Sequence, residues 1–283
     1  MRLIEFKSGD QQIIRGWLNE PSAPRPHPAI IFAHGFLSTH DEFGDYPQRF
    51  CECGYLTLAF DFRGHGASEG MRGLISEARM VQDLIHALDY IEYNPGIDNN
   101  RIALFGHSLG GGAVICATAS DARVRAVVAG ATVGRLRDEL SSNEMATYRL
   151  VDRFNTWQKR FTKKSLYMPY RVSYKDIFAD AECRRRAQRK GFLQGTLPAD
   201  NIPLLMQQDA IACAGNIHVP ALIVQGELDK VVKHTSVHAV FDALAGEKEL
   251  FEVKGSGHSV WTDCKGEEAF VHIAEWMDKH LKS

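Results

Sequence analysis

The sequence predicts an α/β protein: a mostly parallel, doubly wound sheet with a helical lid inserted over one edge. Three observations carry this prediction. Short apolar runs alternate along the chain with segments of helical periodicity, the pattern that βαβ crossovers produce. Several of those runs are apolar at every position, as strands covered on both faces of a parallel sheet must be. From about Arg135 to Ala214 the alternation then breaks, over a stretch too long to be a simple connection.

The elements follow in order. Leu3–Phe6 and Gln12–Leu18 read as strands joined at Ser8-Gly9-Asp10, a turn cluster that suggests an antiparallel hairpin. Pro21, Pro24, Pro26 and Pro28 make a short extended linker, since each proline fixes φ and removes a donor. Ala29–Ala33 is a buried strand ending at His34-Gly35, and Tyr55–Phe60 is another, ending at Asp61-Phe62-Arg63-Gly64-His65-Gly66. Met80, Leu84, Leu88 and Ile91 recur at helical spacing and predict a helix from Ser76 to Tyr93. Strand Arg101–Phe105, helix Leu109–Ala119 and strand Val124–Ala129 come next. After the break stand strand Ala221–Gln225, helix Val237–Leu244, strand Leu250–Val253 and helix Glu267–His280. The expected division is a core of residues 1–134 and 215–283, with residues 135–214 as a mostly helical cap containing no strand. Its aromatics, Tyr148, Phe154, Trp157, Phe161, Tyr167, Tyr170, Tyr174 and Phe178, are expected to wall a pocket.

Composition narrows the function classes. The chain of 283 residues is 45% hydrophobic and 24% charged, with a formal charge of −2. That balance gives no electrostatic reason to expect nucleic acid or an anionic membrane as a partner. Arg184-Arg185-Arg186 with Arg189 and Lys190 reads as a solvated helix face. No apolar run approaches the ~20 residues that span a bilayer. The first residues lack the apolar core of an export signal, so a cytoplasmic protein is expected. On that basis Cys51, Cys53, Cys116, Cys183, Cys213 and Cys264 are expected as reduced thiols, with Cys51 and Cys53 near a helix end. No metal ligand set is spaced as zinc sites are. The oligomeric state stays open, a homodimer included.

Phe105-Gly106-His107-Ser108-Leu109-Gly110-Gly111-Gly112 carries the chemistry. A G-x-S-x-G sequence between a buried strand and a helix is a nucleophile elbow, a sharp turn that lifts the serine hydroxyl above the sheet. A serine hydroxyl is a poor nucleophile unless a base takes its proton. In this arrangement the partners follow in the order Ser, acid, His. Asp229 lies in the loop after Ala221–Gln225, and His258 in the loop after Leu250–Val253. Both therefore fall at the same sheet edge as Ser108. Glu227 is the alternative acid. The backbone N–H groups of Leu109 and Phe36 are the candidate oxyanion donors, and His107 is the candidate substrate contact. Asp61 and His65 read as fixing a glycine-rich turn.

His34-Gly35-Phe36, Asp61-Phe62-Arg63-Gly64-His65-Gly66-Ala67-Ser68, Gly106-His107-Ser108-Leu109-Gly110-Gly111, the Gly226–Asp229 loop and Gly257-His258 together resemble the α/β-hydrolase superfamily. Within it they are most similar to small cytosolic esterases of the feruloyl/cinnamoyl kind. The resemblance covers residues 1–134 and 215–283, and the insertion holds no motif to match. It implies the α/β-hydrolase fold and cleavage of a small-molecule carboxylic ester, with a small or medium acyl group, through an acyl-enzyme. It also implies no metal and no organic cofactor. The same triad would serve a thioesterase, an acyltransferase or a peptidase, whereas a non-catalytic binder on this scaffold would be expected to lack a triad member.

Overall fold

A computed structural model describes residues 1–187, 189 and 191–282. The N-terminal hairpin is present as β1 (Arg2–Lys7) and β2 (Ile13–Asn19), paired antiparallel. The alternating part runs β3 (His27–Ala33), α1 (Tyr46–Glu52), β4 (Leu56–Phe60), α2 (Glu77–Glu92), β5 (Ile97–His107), α3 (Leu109–Ser120) and β6 (Val124–Gly130). The insertion holds α4 (Leu136–Glu139), α5 (Ser142–Thr162), β7 (Tyr167–Ser173), α6 (Tyr174–Ile177), α7 (Ala181–Arg186), β8 (Phe192–Pro198), α8 (Asn201–Met206) and α9 (Ala210–Ala214). The chain returns through β9 (Ala221–Gly226), α10 (His234–Ala243), β10 (Lys248–Val253) and α11 (Gly266–Leu281).

The main sheet has eight strands in the order β1-β2-β4-β3-β5-β6-β9-β10, parallel from β4 to β10. Both faces are covered. Along β3, Ile31 packs with α2 and α3, while Ile30 and Phe32 pack with α1 and α11. Each such side chain contributes roughly 1.5–3 kcal/mol when removed from water, so a run apolar at every position is stable only in this sandwich. β6 and β9 are direct neighbours across the long insertion, as the broken alternation implied. Ser108, Asp229 and His258 consequently emerge at one edge, beyond the C-terminal ends of β5, β9 and β10, where open α/β sheets place ligands.

Two expectations need correction. The insertion does contain strands: β7 and β8 form an antiparallel ribbon, from Tyr167 opposite Pro198 to Ser173 opposite Phe192. This ribbon has no apolar run to read, and Pro169 interrupts its pattern, which a separate two-stranded ribbon tolerates. The cysteines are not all thiols either. Cys116 pairs with Cys213 and Cys183 with Cys264, while Cys51 and Cys53 remain free. Spacing could not reveal these pairs, because their partners lie 97 and 81 residues apart and meet only when the insertion packs on the core. α9, at the end of the insertion, packs on α3 and α10, and Ala210 and Ala214 are fully buried there. Arg184, Arg185 and Arg186 end α7, and Lys190 lies outside the described residues. Among the described residues no helix is long and apolar enough to cross a membrane.

Candidate active site

β5 runs into α3 through Ser108, whose backbone sits at φ 55° and ψ −118°. That conformation costs a non-glycine residue on the order of 1–3 kcal/mol and needs support from its surroundings. The Ser108 N–H donates to the Gly130 carbonyl at 2.8 Å, and the Ser108 carbonyl accepts from Gly112 at 3.2 Å. Gly110 allows α3 to start directly against the end of β3, since any Cβ there would strike the Ala33 and His34 carbonyls. The elbow and the segment leading to Phe36 are thereby packed together.

His258 Nδ1 lies 2.8 Å from Asp229 Oδ2. Asp229 is well supplied with donors: Oδ2 also accepts from the Gln225 amide at 3.0 Å, and Oδ1 accepts from the Val231 and Val232 N–H groups at 2.7 and 3.1 Å. Burial pushes this carboxyl up, but the His258 ring and those two amides outweigh it and hold it below the usual carboxylate range. An ionised carboxylate only accepts, so Nδ1 carries the proton and Nε2 is left with a free lone pair. Gly226 brings the Asp229 and His258 loops together, because a Cβ there would overlap the Gly257 carbonyl. Glu227 faces away, bonded to the Gly255 N–H at 2.8 Å and near Lys254 on the surface.

His107 behaves differently from the expected substrate contact. It borders the cavity, but its Nε2 lies 2.9 Å from the His258 carbonyl and its Nδ1 lies 3.0 Å from Glu42 Oε1. The second Glu42 oxygen accepts from the Gly35 N–H at 2.5 Å. Burial works against both charges, yet each outweighs that penalty for the other: Glu42 is held below its ordinary value and His107 above it. One pair, with His107 buried and Glu42 half-buried, therefore ties the loop before Phe36, the elbow and the His258 loop together. Glu42 carries no motif. It stands seven residues after Gly35 in a short 3-10 turn, and only the fold reveals it. Asp61 fixes its turn as expected, accepting from His40 N–H at 2.8 Å and Ala67 N–H at 2.8 Å.

Ser108 and His258 share the wall of a cavity of about 410 Å³. Its roof comes from the insertion, through Val172, Tyr174, Phe178 and Leu193, while Phe36 and Val231 belong to the core side. Segment 177–179 is bonded to the His258 loop: Ser259 N–H donates to the Ile177 carbonyl at 3.2 Å. Asp263 Oδ2 bridges the two, accepting from Gly257 N–H at 2.6 Å and Ala179 N–H at 3.5 Å. Of the aromatics expected to wall the pocket, only Tyr174 and Phe178 do so, and Tyr170 packs edge-on to Phe36. Phe154, Trp157, Phe161 and Tyr167 are exposed on the outside. An imidazole oriented by a carboxylate and a serine on a strained turn thus meet at a cavity of mixed lining, with Asp41, Glu42 and Arg189 beside its apolar side chains.

Comparison with known proteins agrees. The sequence model of the family described as serine aminopeptidase, S33, matches residues 24–265. The chain belongs to that family. It is a serine hydrolase of the α/β-hydrolase type, as the motif resemblance implied. An uncharacterised 31.7 kDa protein of the traX-finO intergenic region of Escherichia coli is 30% identical over 275 residues, 92% of this chain and 94% of that protein. Polyketide transferase grgF of a Penicillium species is 27% identical over 98% of this chain and 96% of its own. Its crystal structure superposes with a TM-score of 0.86 at 24% identity, covering 100% of this chain and 99% of that one. Est1E of Butyrivibrio proteoclasticus, solved with ferulic acid bound, shares the fold of this family member at a TM-score of 0.72 and 19% identity, covering 99% and 100% of the two chains.

Proposed function

We propose that the chain cleaves a carboxylic ester of a small or medium acyl group through an acyl-enzyme on Ser108. The observation that carries the reading is the His258–Asp229 bond of 2.8 Å beside the cavity that Ser108 lines. His258 Nε2 takes the Ser108 proton as the hydroxyl oxygen attacks the carbonyl carbon, and returns it to the departing alcohol. Water then repeats the cycle and frees the acid. Asp229 holds the tautomer and stabilises the imidazolium. The N–H groups of Phe36 and Leu109 receive the oxyanion, each worth on the order of 3 kcal/mol of barrier. Neither amide is paired with another described residue, which leaves both available. The insertion acts as the lid that sets acyl size and lowers the dielectric around the oxyanion. A fluorophosphonate should label the chain once, and Ser108→Ala should abolish both labelling and turnover of p-nitrophenyl acyl esters. Retention of either within tenfold of wild type would refute the nucleophile.

A second reading keeps the same acyl-enzyme but resolves it with an acceptor other than water. The polyketide transferase that matches along nearly its whole length favours it. Competing alcohol, thiol and amine acceptors against water, with ester and thioester donors, separates hydrolysis from transfer.

A further inference from the structure

We propose that α5 is a docking surface for an anionic lipid bilayer. The helix is inverted relative to an ordinary surface helix, which buries its apolar stripe. Its inner side is anchored by polar side chains: buried Asn155 donates to Asp200 at 3.0 Å and accepts from the Leu166 N–H at 2.8 Å, and Lys159 reaches Asp200 at 2.7 Å. Met145, Tyr148 and Val151 are half-buried, but four large apolar residues face solvent. Leu150 is 69% exposed, Phe154 53%, Trp157 56% and Phe161 74%. At ~100° per residue these four fall within an arc of roughly 60°, a stripe about 16 Å long. The rings are continuous, with Phe154 stacked on Trp157 at 5.6 Å and Trp157 edge-on to Phe161 at 5.4 Å. Exposing four large apolar side chains on one line costs solubility and marks a contact surface.

Charge selects the occupant. Arg149, Arg153 and Arg160 are exposed along one border of the stripe, and Lys163 and Lys164 follow at its end. Residues 135–214 hold 15 Lys and Arg against nine Asp and Glu, although the whole chain carries −2. The near-neutral total thus conceals a basic insertion on an acidic core. A second copy of the chain fits poorly, because the two acids of α5 are placed elsewhere. Glu144 is bonded to Ser141 in the helix cap, and Asp152 is half-buried away from the stripe. Two such helices laid together would bring arginines with no carboxylate from α5 to meet them. An aromatic and leucine stripe bordered by arginine is the composition of helices that lie in a bilayer interface, ~5–10 Å deep, on anionic lipid.

The test uses the full chain with vesicles of phosphatidylcholine alone or with phosphatidylglycerol, read by flotation and by tryptophan emission, with Trp157→Ser as the reference for the three other tryptophans. Binding is expected to the phosphatidylglycerol vesicles, with a blue shift. Arg149→Gln/Arg153→Gln/Arg160→Gln should weaken it on the order of 100-fold, given about one basic contact per residue at the surface. Trp157→Ser/Phe161→Ser should abolish it while fluorophosphonate labelling stays unchanged, which shows that the fold is kept. No binding to either vesicle, or binding unaffected by both variants, would overturn the proposal. So would a solution dimer that Trp157→Ser/Phe161→Ser splits, since the stripe would then belong to a second copy.

Discussion

Removing the Glu42 carboxylate should loosen the active site and the fold together. Glu42→Ala deprives two donors of their partner, the Gly35 N–H at 2.5 Å and the His107 ring nitrogen at 3.0 Å. His107 is 1% exposed, so only water from the adjoining cavity could replace the lost acceptor, and only in part. An unmade buried hydrogen bond costs ~1–3 kcal/mol, and breaking a buried ion pair by deleting one partner costs ~3–5 kcal/mol. The variant should therefore lose about 3–5 kcal/mol in urea denaturation, a large part of a typical domain's stability. Glu42→Gln keeps the shape and one acceptor but not the charge, so it should fall between.

The pH dependence has a definite sign. Glu42 is held below its ordinary value of 4.5, so its contribution is present above pH 4.5 and is lost as pH falls through the folded value. His107 is held above 6.5, so its contribution is present below pH 6.5 and is lost as pH rises through the folded value. The stability gap between wild type and Glu42→Gln should thus be widest between pH 4.5 and 6.5 and should narrow on either side. Because Gly35 precedes Phe36, kcat for ester cleavage should fall more than KM rises. A gap independent of pH from 4 to 9, or a Glu42→Ala cost below about 1 kcal/mol, would refute the claim that a charged pair holds this loop.

Other outcomes follow from the same geometry. Asp229→Asn should lower kcat/KM by on the order of 10³–10⁴ through the wrong His258 tautomer, while Glu227→Gln should leave it within a few fold; the reverse ranking would reassign the acid. Gly226→Ala should cost ~1–3 kcal/mol in thermal denaturation, because its Cβ must displace the Gly257 carbonyl. Under denaturing, non-reducing conditions two thiols should react with a disulfide reagent, and all six after reduction. Reduction should also lower stability by about 2–4 kcal/mol for each bond, since both close long loops.

What could be read in the chain was local. The run Ile30-Ile31-Phe32 announces a strand covered on both faces, and Gly106, Ser108 and Gly110 announce a turn that only small neighbours permit. Asp229 and His258 were legible because each follows a strand directly, and parallel neighbours deliver their C-terminal loops to one edge. The fold adds what separates Asp229 from the alternative acid. Glu227 and Asp229 share a loop, but Gly255 takes the first and His258 the second.

What could not be read depends on direction rather than residue type. Glu42 is an ordinary acid in a polar loop until the turn at His40–Phe43 aims it at Gly35 and His107. Aromatic residue type alone sends every aromatic of the insertion to the pocket, because aromatic residues usually bury. Phe178 and Trp157 are alike in that respect, yet one roofs the cavity and the other faces solvent. The discriminating signal was in α5 all along: Asn155 and Lys159 recur at the spacing of one face, Leu150, Phe154, Trp157 and Phe161 at that of another. Periodicity reports that a helix has two faces; only its partner, here polar Asp200 on the inner side, decides which one is buried. A helix whose polar face is already satisfied inside has its apolar face left for something outside the chain.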